Sequence, residues 1–290
     1  MNQNAVEIRA LEKHFPRFKL GPLDLTVPQG VIYGLIGPNG AGKTTTLDLI
    51  FGLGDPDAGT IKVLGLDHRR DEVAVKRQAA YASPDASFRT WGTGRKLIRF
   101  VSGFYPAWDE AYCEKLLAEL HVNPDEKITA LSSGGRVKLG VIIALAWHPK
   151  VVILDEPAAG LDAISKQQVF AELLAAVQDE ERTVIISSHA LTDLERFADH
   201  IGMIKNGQLL LEGPTCGIVE RFKLLDFVSE DGAAFVSADG VFIQRHERDQ
   251  WQAMVNMERN TMESLASRGA RQISATPMTL EDIFVALGKD

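Results

Sequence analysis

The sequence predicts an α/β fold in which helices cover a mixed, largely parallel core sheet, followed by a small α+β extension. Three apolar runs, "VIYGLIG", "VVILDEP" and "TVIISSH", end in polar residues and are separated by helical stretches, which is typical of parallel strands with helical connections. A glycine-rich stretch follows the first run directly. After Gly217 the pattern changes to a short alternating run, "AAFVSADGVFIQRH", and further helical segments, which indicates a separate segment.

Composition argues against several classes of protein. The 290 residues suffice for one large domain plus an extension, and a net charge of −8 disfavours broad nucleic-acid binding, so no nucleic-acid partner is expected. The N-terminus "MNQNAVEIRALEK" has no hydrophobic signal region, and the longest apolar run, "LGVIIALAW", is far below the roughly 18 residues of a membrane span. The two cysteines, Cys113 and Cys216, have no pairing or metal-ligand spacing, so we expect reduced, partly buried side chains in a cytosolic protein.

The stretch "GPNGAGKTTT", residues 37 to 46, follows the first predicted strand and opens a helical pattern. Its spacing satisfies G-x-x-x-x-G-K-[ST], in which backbone amides at a helix N-terminus form an anion-binding nest. Lys43 is predicted to reach the β- and γ-phosphates of a nucleotide, and the Thr44 hydroxyl to bind Mg²⁺. The alternative, a plain glycine turn at a sheet edge, does not account for strand, loop and helix in this order. The predicted phosphate-binding residues are Gly37, Pro38, Asn39, Gly40, Ala41, Gly42, Lys43, Thr44 and Thr45.

Two adjacent carboxylates end the second predicted strand, in "VVILDEP". Asp155 is placed to hold Mg²⁺ through its water shell, and Glu156 to polarise the attacking water as a general base. A plain strand end is disfavoured because two carboxylates beside a buried strand are costly without a cation. Ligands of open α/β sheets bind beyond the carboxyl ends of the strands, where the loop from Gly37, this pair and His189 all fall. We therefore predict that three distant segments converge on one nucleotide.

The stretch "LSSGGRVKLGVIIALAWHPKVVILDEP" resembles, without a gap, the signature region and Walker B motif of ATP-binding cassette (ABC) ATPases. Downstream, "AAGLD" is similar to the D-loop of that family, with Asp162 in the aspartate position, and "SSH" places His189 as the switch histidine. These motifs occur in the family's order, and the resemblance covers about residues 5 to 217. It implies a P-loop NTPase cassette that has an N-terminal antiparallel β portion and an inserted helical subdomain.

The resemblance also implies that two cassettes close head to tail around two ATP molecules, and that the cassettes bind Mg²⁺ as well as ATP. In this family the signature serine and glycine, Ser132 and Gly134 here, form an anion site that faces the γ-phosphate bound by the opposite subunit. Asp162 is expected among the nucleotide-contacting residues. The switch histidine is expected to hydrogen-bond the γ-phosphate and to orient the base and the water. The implied catalytic residues are Glu156, His189 and Lys43.

An aromatic ring that stacks on the adenine is expected near the N-terminus. The stretch "LEKHFPRF" occupies the place where this family stacks such a ring on the base. Phe15 is the predicted ring and Phe18 the alternative. A phenylalanine that only packs in the core is the remaining interpretation.

The sequence departs from the family pattern at two motifs. The signature usually reads L-S-G-G-Q, so Ser133 and Gly135 differ from it. Elsewhere the family has a glutamine that touches Mg²⁺ and links to the membrane partner, whereas this chain reads Ser83-Pro84-Asp85. Asp85 is a candidate metal ligand one position late, and the alternatives are a weakened or lost contact at a Pro-Asp turn. With these departures two interpretations stay open. One is reduced activity at one or both of the sites that form between two cassettes, and the other is pairing with a different cassette that supplies the usual residues.

We expect a cassette at residues 1 to 217, with its helical subdomain at about 86 to 148, and a C-terminal extension at 218 to 290. The C-terminal "PMTLEDIFVALG" resembles the endings of cassettes of multisubunit exporters that have their permease on a separate chain. The resemblance implies the ATP-hydrolysing subunit of an ABC transporter, cytoplasmic and peripheral on the inner face of the membrane. Its partners would be that permease and a second cassette, in a homodimer or a heterodimer. Two alternatives stay open: a soluble ABC ATPase acting on ribosomes or DNA, and a nucleotide-gated regulator that seldom hydrolyses ATP.

Overall fold

The structure, a computed structural model, describes residues 3–84, 88–180, 182–230, 233–236 and 238–288. The candidate metal ligand Asp85 lies outside these residues. The chain divides into two compact units, one of Met1–Ala190 with Arg196–Glu212 and one of Leu191–Glu195 with Gly213–Asp290. This division falls between Glu212 and Gly213, so the domain boundary after residue 217 stays a prediction.

Among the described residues of the larger unit, ten strands and six helices form or begin, together with one turn of 3₁₀ helix at Arg89–Trp91. The strands are β1 (Asn4–Phe15), β2 (Phe18–Pro28), β3 (Ile32–Ile36), β4 (Ala58–Val63), β5 (Leu66–Asp67), β6 (Ala79–Ala82), β7 (Val151–Leu154), β8 (Thr183–Ser188), β9 (His200–Lys205) and β10 (Gln208–Pro214). The helices are α1 (Lys43–Phe51), α2 (Glu72–Lys76), α3 (Gly94–Ser102), α4 (Glu110–Glu119), α5 (Ser133–Leu145) and α6 (Ala163–Glu180).

The central sheet has six strands in the order β10-β9-β3-β8-β7-β6. Strand β3 pairs in parallel with β8 and β9, and β7 pairs in parallel with β6 and β8. Every residue of β3, β7 and β8 is buried, as expected for parallel strands that are covered on both faces. The predicted largely parallel core sheet is therefore confirmed, and the carboxyl ends of these three strands lie along one edge.

The N-terminal portion is a second sheet of four strands in the order β2-β1-β4-β5. All its pairings are antiparallel, with Val6 opposite Val27 on one side and Val63 on the other. The antiparallel β portion that the resemblance implied is thus confirmed. In the segment expected to form the helical subdomain, the described residues include α3, α4 and α5.

A hydrogen-bonded pair of a buried tyrosine and a half-buried glutamate joins β3 to β10 in the larger unit. The Tyr33 hydroxyl donates to Glu212 Oε1 at 2.8 Å, and the same oxygen accepts from the Thr26 amide at 2.9 Å. Burial raises the pKa of the Glu212 carboxyl and raises that of the Tyr33 phenol well above its usual value. The pair stabilises the fold only while both groups are present, because Tyr33 without Glu212 would bury an unpaired hydroxyl and Glu212 without Tyr33 would keep only the Thr26 amide as a donor.

We expect Tyr33→Phe to lower the free energy of unfolding by about 1–3 kcal/mol, because the half-buried Glu212 carboxyl loses the hydrogen bond from the Tyr33 hydroxyl. Urea denaturation followed by circular dichroism measures the change. Tyr105→Phe is the matched control, because the half-buried Tyr105 ring stacks on Trp147 and its hydroxyl makes no hydrogen bond within the described ranges. Equal midpoints for the two variants would contradict the prediction.

In the smaller unit, the part of the chain that the structure describes forms five helices and a four-stranded antiparallel sheet in the order β12-β13-β11-β14. Its elements are α7 (Leu191–Glu195), α8 (Thr215–Arg221), β11 (Phe222–Val228), α9 (Ala233–Val236), β12 (Val241–Glu247), β13 (Gln250–Asn256), α10 (Met262–Ser267), β14 (Arg271–Pro277) and α11 (Leu280–Leu287). The early helix α7 belongs to this unit because it packs against α11, where the Leu280 amide donates to Glu195 Oε2 at 3.4 Å. Among the residues that the structure describes, no helix is both long and apolar enough to cross a membrane.

The two cysteines differ in exposure, so the expectation that both are partly buried is wrong. Cys113 lies inside α4 and is fully buried, whereas Cys216 in α8 is exposed. Burial raises the pKa of the Cys113 thiol to about 12. Only a small fraction of a thiol with such a pKa is the reactive thiolate at neutral pH.

We expect an alkylating reagent such as iodoacetamide to label one cysteine in the native chain and both after denaturation. Intact-mass spectrometry counts the adducts. Cys216→Ser is the control, and we expect it to remove the native-state label. Native labelling at Cys113 would show that α4 is more accessible than the structure indicates.

Candidate nucleotide-binding and catalytic site

The glycine-rich loop runs from the end of β3 to the start of α1 and wraps around a lysine. Lys43 Nζ donates to the carbonyl oxygen of Gly37 at 2.8 Å and to that of Pro38 at 3.3 Å, and the side chain is buried. Gly42 precedes the helix with φ 106°, and a Cβ there would lie 2.8 Å from Cδ1 of Leu20. Only glycine fits this conformation and this close approach. The loop therefore presents its backbone and the Lys43 ammonium at the helix N-terminus, as an anion site requires.

Two oxygen donors suited to Mg²⁺ meet beside this loop. Asp155 follows β7, and its Oδ2 accepts a hydrogen bond from Thr44 Oγ1 at 2.8 Å. The Asp155 amide donates to the carbonyl oxygen of Ala82 at 2.8 Å, which fixes the backbone at the end of the strand. A hydroxyl and a carboxylate are hard oxygen ligands of the kind that Mg²⁺ prefers. The structure brings these two predicted metal residues together.

Lys43 and His189 both lie beside the carboxylate of Glu156, the predicted base. Glu156 Oε1 lies 3.5 Å from Lys43 Nζ, and Glu156 Oε2 lies 2.9 Å from His189 Nδ1. An ionised carboxylate only accepts, so His189 Nδ1 carries the proton of this hydrogen bond. The Glu156 backbone has φ 47°, a left-handed conformation that is uncommon outside glycine and is often found at functional sites. The three side chains come from α1, the end of β7 and the end of β8.

A further residue of this site, Ser187, is not among the predicted ones. Its hydroxyl accepts from the Glu156 amide at 2.8 Å and donates to Asp155 Oδ1 at 2.5 Å. The side chain is fully buried at the end of β8. In the sequence, Ser187 is marked only by its position two residues before His189. A serine pair at a strand end does not by itself predict these contacts.

The signature residues lie at the start of α5 and beside the D-loop. Ser132 is the N-cap of this helix, and its Oγ accepts from the Gly135 amide at 2.9 Å. A Cβ on Gly134 would lie 2.7 Å from Cδ2 of Leu161, so a larger residue there would have to move this side chain of the D-loop. Asp162 accepts from the amide and the hydroxyl of Ser165, both at 2.9 Å. These hydrogen bonds lower the pKa of the Asp162 carboxyl.

The two candidate adenine rings lie on either side of the turn between β1 and β2. Phe15 pairs with Phe18 across this turn, and their ring centroids are 6.2 Å apart. Phe15 is 45% exposed, which argues against the interpretation that it packs in the core. Phe18 is half-buried, and one of its ring carbons lies 3.0 Å from the position of a Cβ on Gly42. The choice of Phe15 as the stacking ring stays a prediction.

Comparison with known proteins identifies the family. Residues 20–159 match the family described as ABC transporter. The Nod factor export ATP-binding protein I of Burkholderia lata is 30% identical to the chain, over 97% of the chain and 96% of the relative. The daunorubicin/doxorubicin resistance ATP-binding protein DrrA of Streptomyces peucetius is 30% identical over 91% of the chain and 86% of the relative. A solved structure described as the ATP binding subunit of an ABC transporter superposes with a TM-score of 0.67 at 26% identity, covering 74% of the chain and 92% of that structure. The chain thus belongs to the ABC transporter family, as an ATP-binding cassette ATPase.

Proposed function

We propose that the chain is the ATP-hydrolysing subunit of an exporter whose permease is a separate chain, and that it works on the cytoplasmic face of the membrane. The observation that carries the proposal is the convergence of Lys43 and His189 on Glu156 at the edge of the parallel sheet. A relative that aligns with almost the whole chain is named for Nod factor export, and another is named for drug resistance. The first of these names favours export over uptake.

The hydrolytic step follows from the positions of these side chains. The amides of the loop before α1 and the Lys43 ammonium bind the β- and γ-phosphates of ATP, which makes the γ-phosphorus more susceptible to attack. Glu156 accepts a proton from the attacking water. The water oxygen bonds to the γ-phosphorus as the bond to the β–γ bridging oxygen breaks, which releases phosphate and ADP. His189 holds Glu156 through its Nδ1–H, and from the end of β8 it would help to orient the γ-phosphate.

Mg²⁺ fits the pair of oxygens at the start of α1 and the end of β7. We propose Thr44 and Asp155 as its protein contacts, since a hydroxyl and a carboxylate oxygen meet there at 2.8 Å. Bound Mg²⁺ would neutralise charge on the phosphate oxygens of ATP. Asp85 remains a proposed additional contact that its sequence position alone supports.

A second cassette completes the proposed site. The N-terminus of α5, with Ser132 and Gly134, would face the nucleotide held by the opposite cassette, and Asp162 would lie near the same interface. Helix N-termini attract anions, and α5 begins with small residues that allow close approach. ATP would therefore be part of the interface, so its binding and hydrolysis would close and open the pair.

The proposal is tested by purifying the tagged full-length chain from gently solubilised native membranes. Mass spectrometry identifies the co-purified proteins, and phosphate release is measured on the same sample. We expect a protein with several membrane spans, together with Mg²⁺-dependent ATPase activity. Recovery of ribosomes or nucleic acid with no membrane protein would overturn the exporter proposal in favour of a soluble ABC ATPase.

A further inference from the structure

One hydroxyl connects the two acidic residues of the site. The parallel register of β7 and β8 places Leu154 beside Ile186, so the next residues, Asp155 and Ser187, are neighbours at the strand ends. Ser187 Oγ donates to Asp155 Oδ1 at 2.5 Å and accepts from the Glu156 amide at 2.8 Å. The proposed metal ligand and the proposed base are thus tied to the same buried oxygen.

The chemistry of the two partners requires a group that both donates and accepts. A backbone amide can only donate, and an ionised carboxylate can only accept. A hydroxyl does both with one oxygen, whereas alanine or valine does neither. The other carboxylate oxygen of Asp155 accepts from Thr44, so Ser187 and Thr44 together hold both oxygens of this carboxylate.

Glu156 needs this restraint because of its backbone. Its φ of 47° is sparsely populated for residues other than glycine and persists only where the surroundings enforce it. The hydrogen bond from the Glu156 amide to Ser187 is a direct restraint on that conformation. Release of the amide would let the backbone relax and move the carboxylate away from Lys43 and His189.

We infer that Ser187 is a positioning residue for catalysis, which fixes the Asp155 carboxylate and the Glu156 backbone in register through one hydroxyl. The inference rests on the proposed function, in which Glu156 activates water. Ser187 acts through Asp155 and Glu156 and not on the nucleotide. Thr44 still holds the other oxygen of Asp155 when the Ser187 hydroxyl is lost, so the loss lowers the rate of hydrolysis through Glu156 and spares the affinity for ATP. The hydrogen bonds of Lys43 to the loop carbonyls do not involve Ser187.

The test compares Ser187→Ala with the full-length parent chain by steady-state phosphate release at varied ATP concentration. We expect kcat to fall about 10- to 100-fold, the range for loss of one hydrogen bond to a charged group. The ATP concentration for half-maximal rate should stay within about 2-fold of the parent. Ser187→Thr keeps the hydroxyl, and we expect it to restore most of the lost rate.

Thr183→Val is the matched control, because it removes another buried hydroxyl from the other end of the same strand. Thr183 Oγ1 accepts from the Gly30 amide at 3.0 Å, so this variant also orphans a backbone amide. Urea denaturation should show a loss of stability in both variants, while only Ser187→Ala should lose kcat. An equal fall in kcat in both variants would make Ser187 an ordinary structural residue and overturn the inference.

The remaining outcomes separate this inference from the proposed function. A parent chain without ATPase activity, or a Glu156→Gln variant with undiminished activity, would overturn both. Loss of activity in Glu156→Gln combined with a kcat within about 2-fold of the parent in Ser187→Ala would keep the function and overturn only the role of Ser187. A rise in the half-maximal ATP concentration without a fall in kcat would also overturn it, because Ser187 would then act on binding.

Discussion

Glu156→Gln is expected to slow ATP hydrolysis by about 10²- to 10⁴-fold, the usual contribution of a general base. The amide has nearly the same size as the carboxylate and still offers an oxygen to His189 Nδ1–H, so the geometry of the site should persist. It cannot accept a proton from water. Phosphate release at saturating Mg²⁺-ATP measures the loss, and binding of a fluorescent ATP analogue should change little. In the presence of ATP, we expect the variant to accumulate as a cassette dimer in size-exclusion chromatography.

Glu126→Gln is the control for this prediction. It makes the same chemical change at an exposed glutamate between α4 and α5, so activity should stay at the parent level. Undiminished hydrolysis in Glu156→Gln would mean that another group takes the proton. It would also favour the interpretation in which the contact of Glu156 with Lys43 is a structural ion pair.

The parts of this site that depend on local order could be predicted from the sequence. A strand, a glycine-rich loop and a helix follow one another within a single segment, so the loop around Lys43 can be inferred from spacing alone. The acidic pair at 155 and 156 ends an apolar run, which indicates a strand end at the ligand-binding edge of the sheet. In both cases the physical cause of the structure lies within about a dozen residues.

The contacts that depend on register between distant strands could not be predicted in this way. Ser187 meets Asp155 only because β7 and β8 align Leu154 with Ile186, and no pattern within either strand specifies that alignment. The Tyr33–Glu212 pair spans 179 positions in the chain and joins β3 to β10, two strands that are separated by β9 in the sheet. Hydrophobic patterning predicts which strands are buried, but specific hydrogen bonds depend on which residues become neighbours.

The boundaries of the smaller unit also depend partly on local sequence patterns and partly on packing between distant segments. A change in hydrophobic pattern indicates a separate segment after Gly217, but it does not reveal that Leu191–Glu195 belongs to the same unit. That assignment depends on packing of α7 against α11, about ninety positions later in the chain. The start of α11, in contrast, is formed by local interactions, because Thr279 and Asp282 make a reciprocal capping box.

Lys43→Ala is expected to weaken ATP binding strongly, in contrast to Glu156→Gln. The ammonium is buried and hydrogen-bonded to two loop carbonyls, so its loss removes both the charge that binds phosphate and the group that holds the loop. Loss of one partner from a buried, hydrogen-bonded charge pair typically costs about 2–5 kcal/mol. The dissociation constant for ATP should therefore rise at least about 30-fold, and hydrolysis should fall with it. Isothermal titration with Mg²⁺-ATP measures the affinity.

Lys62→Ala, which removes an exposed lysine from β4, is the control and should bind ATP like the parent. Comparison with Glu156→Gln then separates two roles at one site, because Glu156→Gln should bind ATP normally without hydrolysis and Lys43→Ala should lose both affinity and hydrolysis. Near-parent affinity in Lys43→Ala would mean that the loop amides alone hold the phosphates and that Lys43 acts mainly through Glu156, 3.5 Å away. The rate of hydrolysis in that case would fall as it does in Glu156→Gln, and only the affinity measurement distinguishes the two explanations.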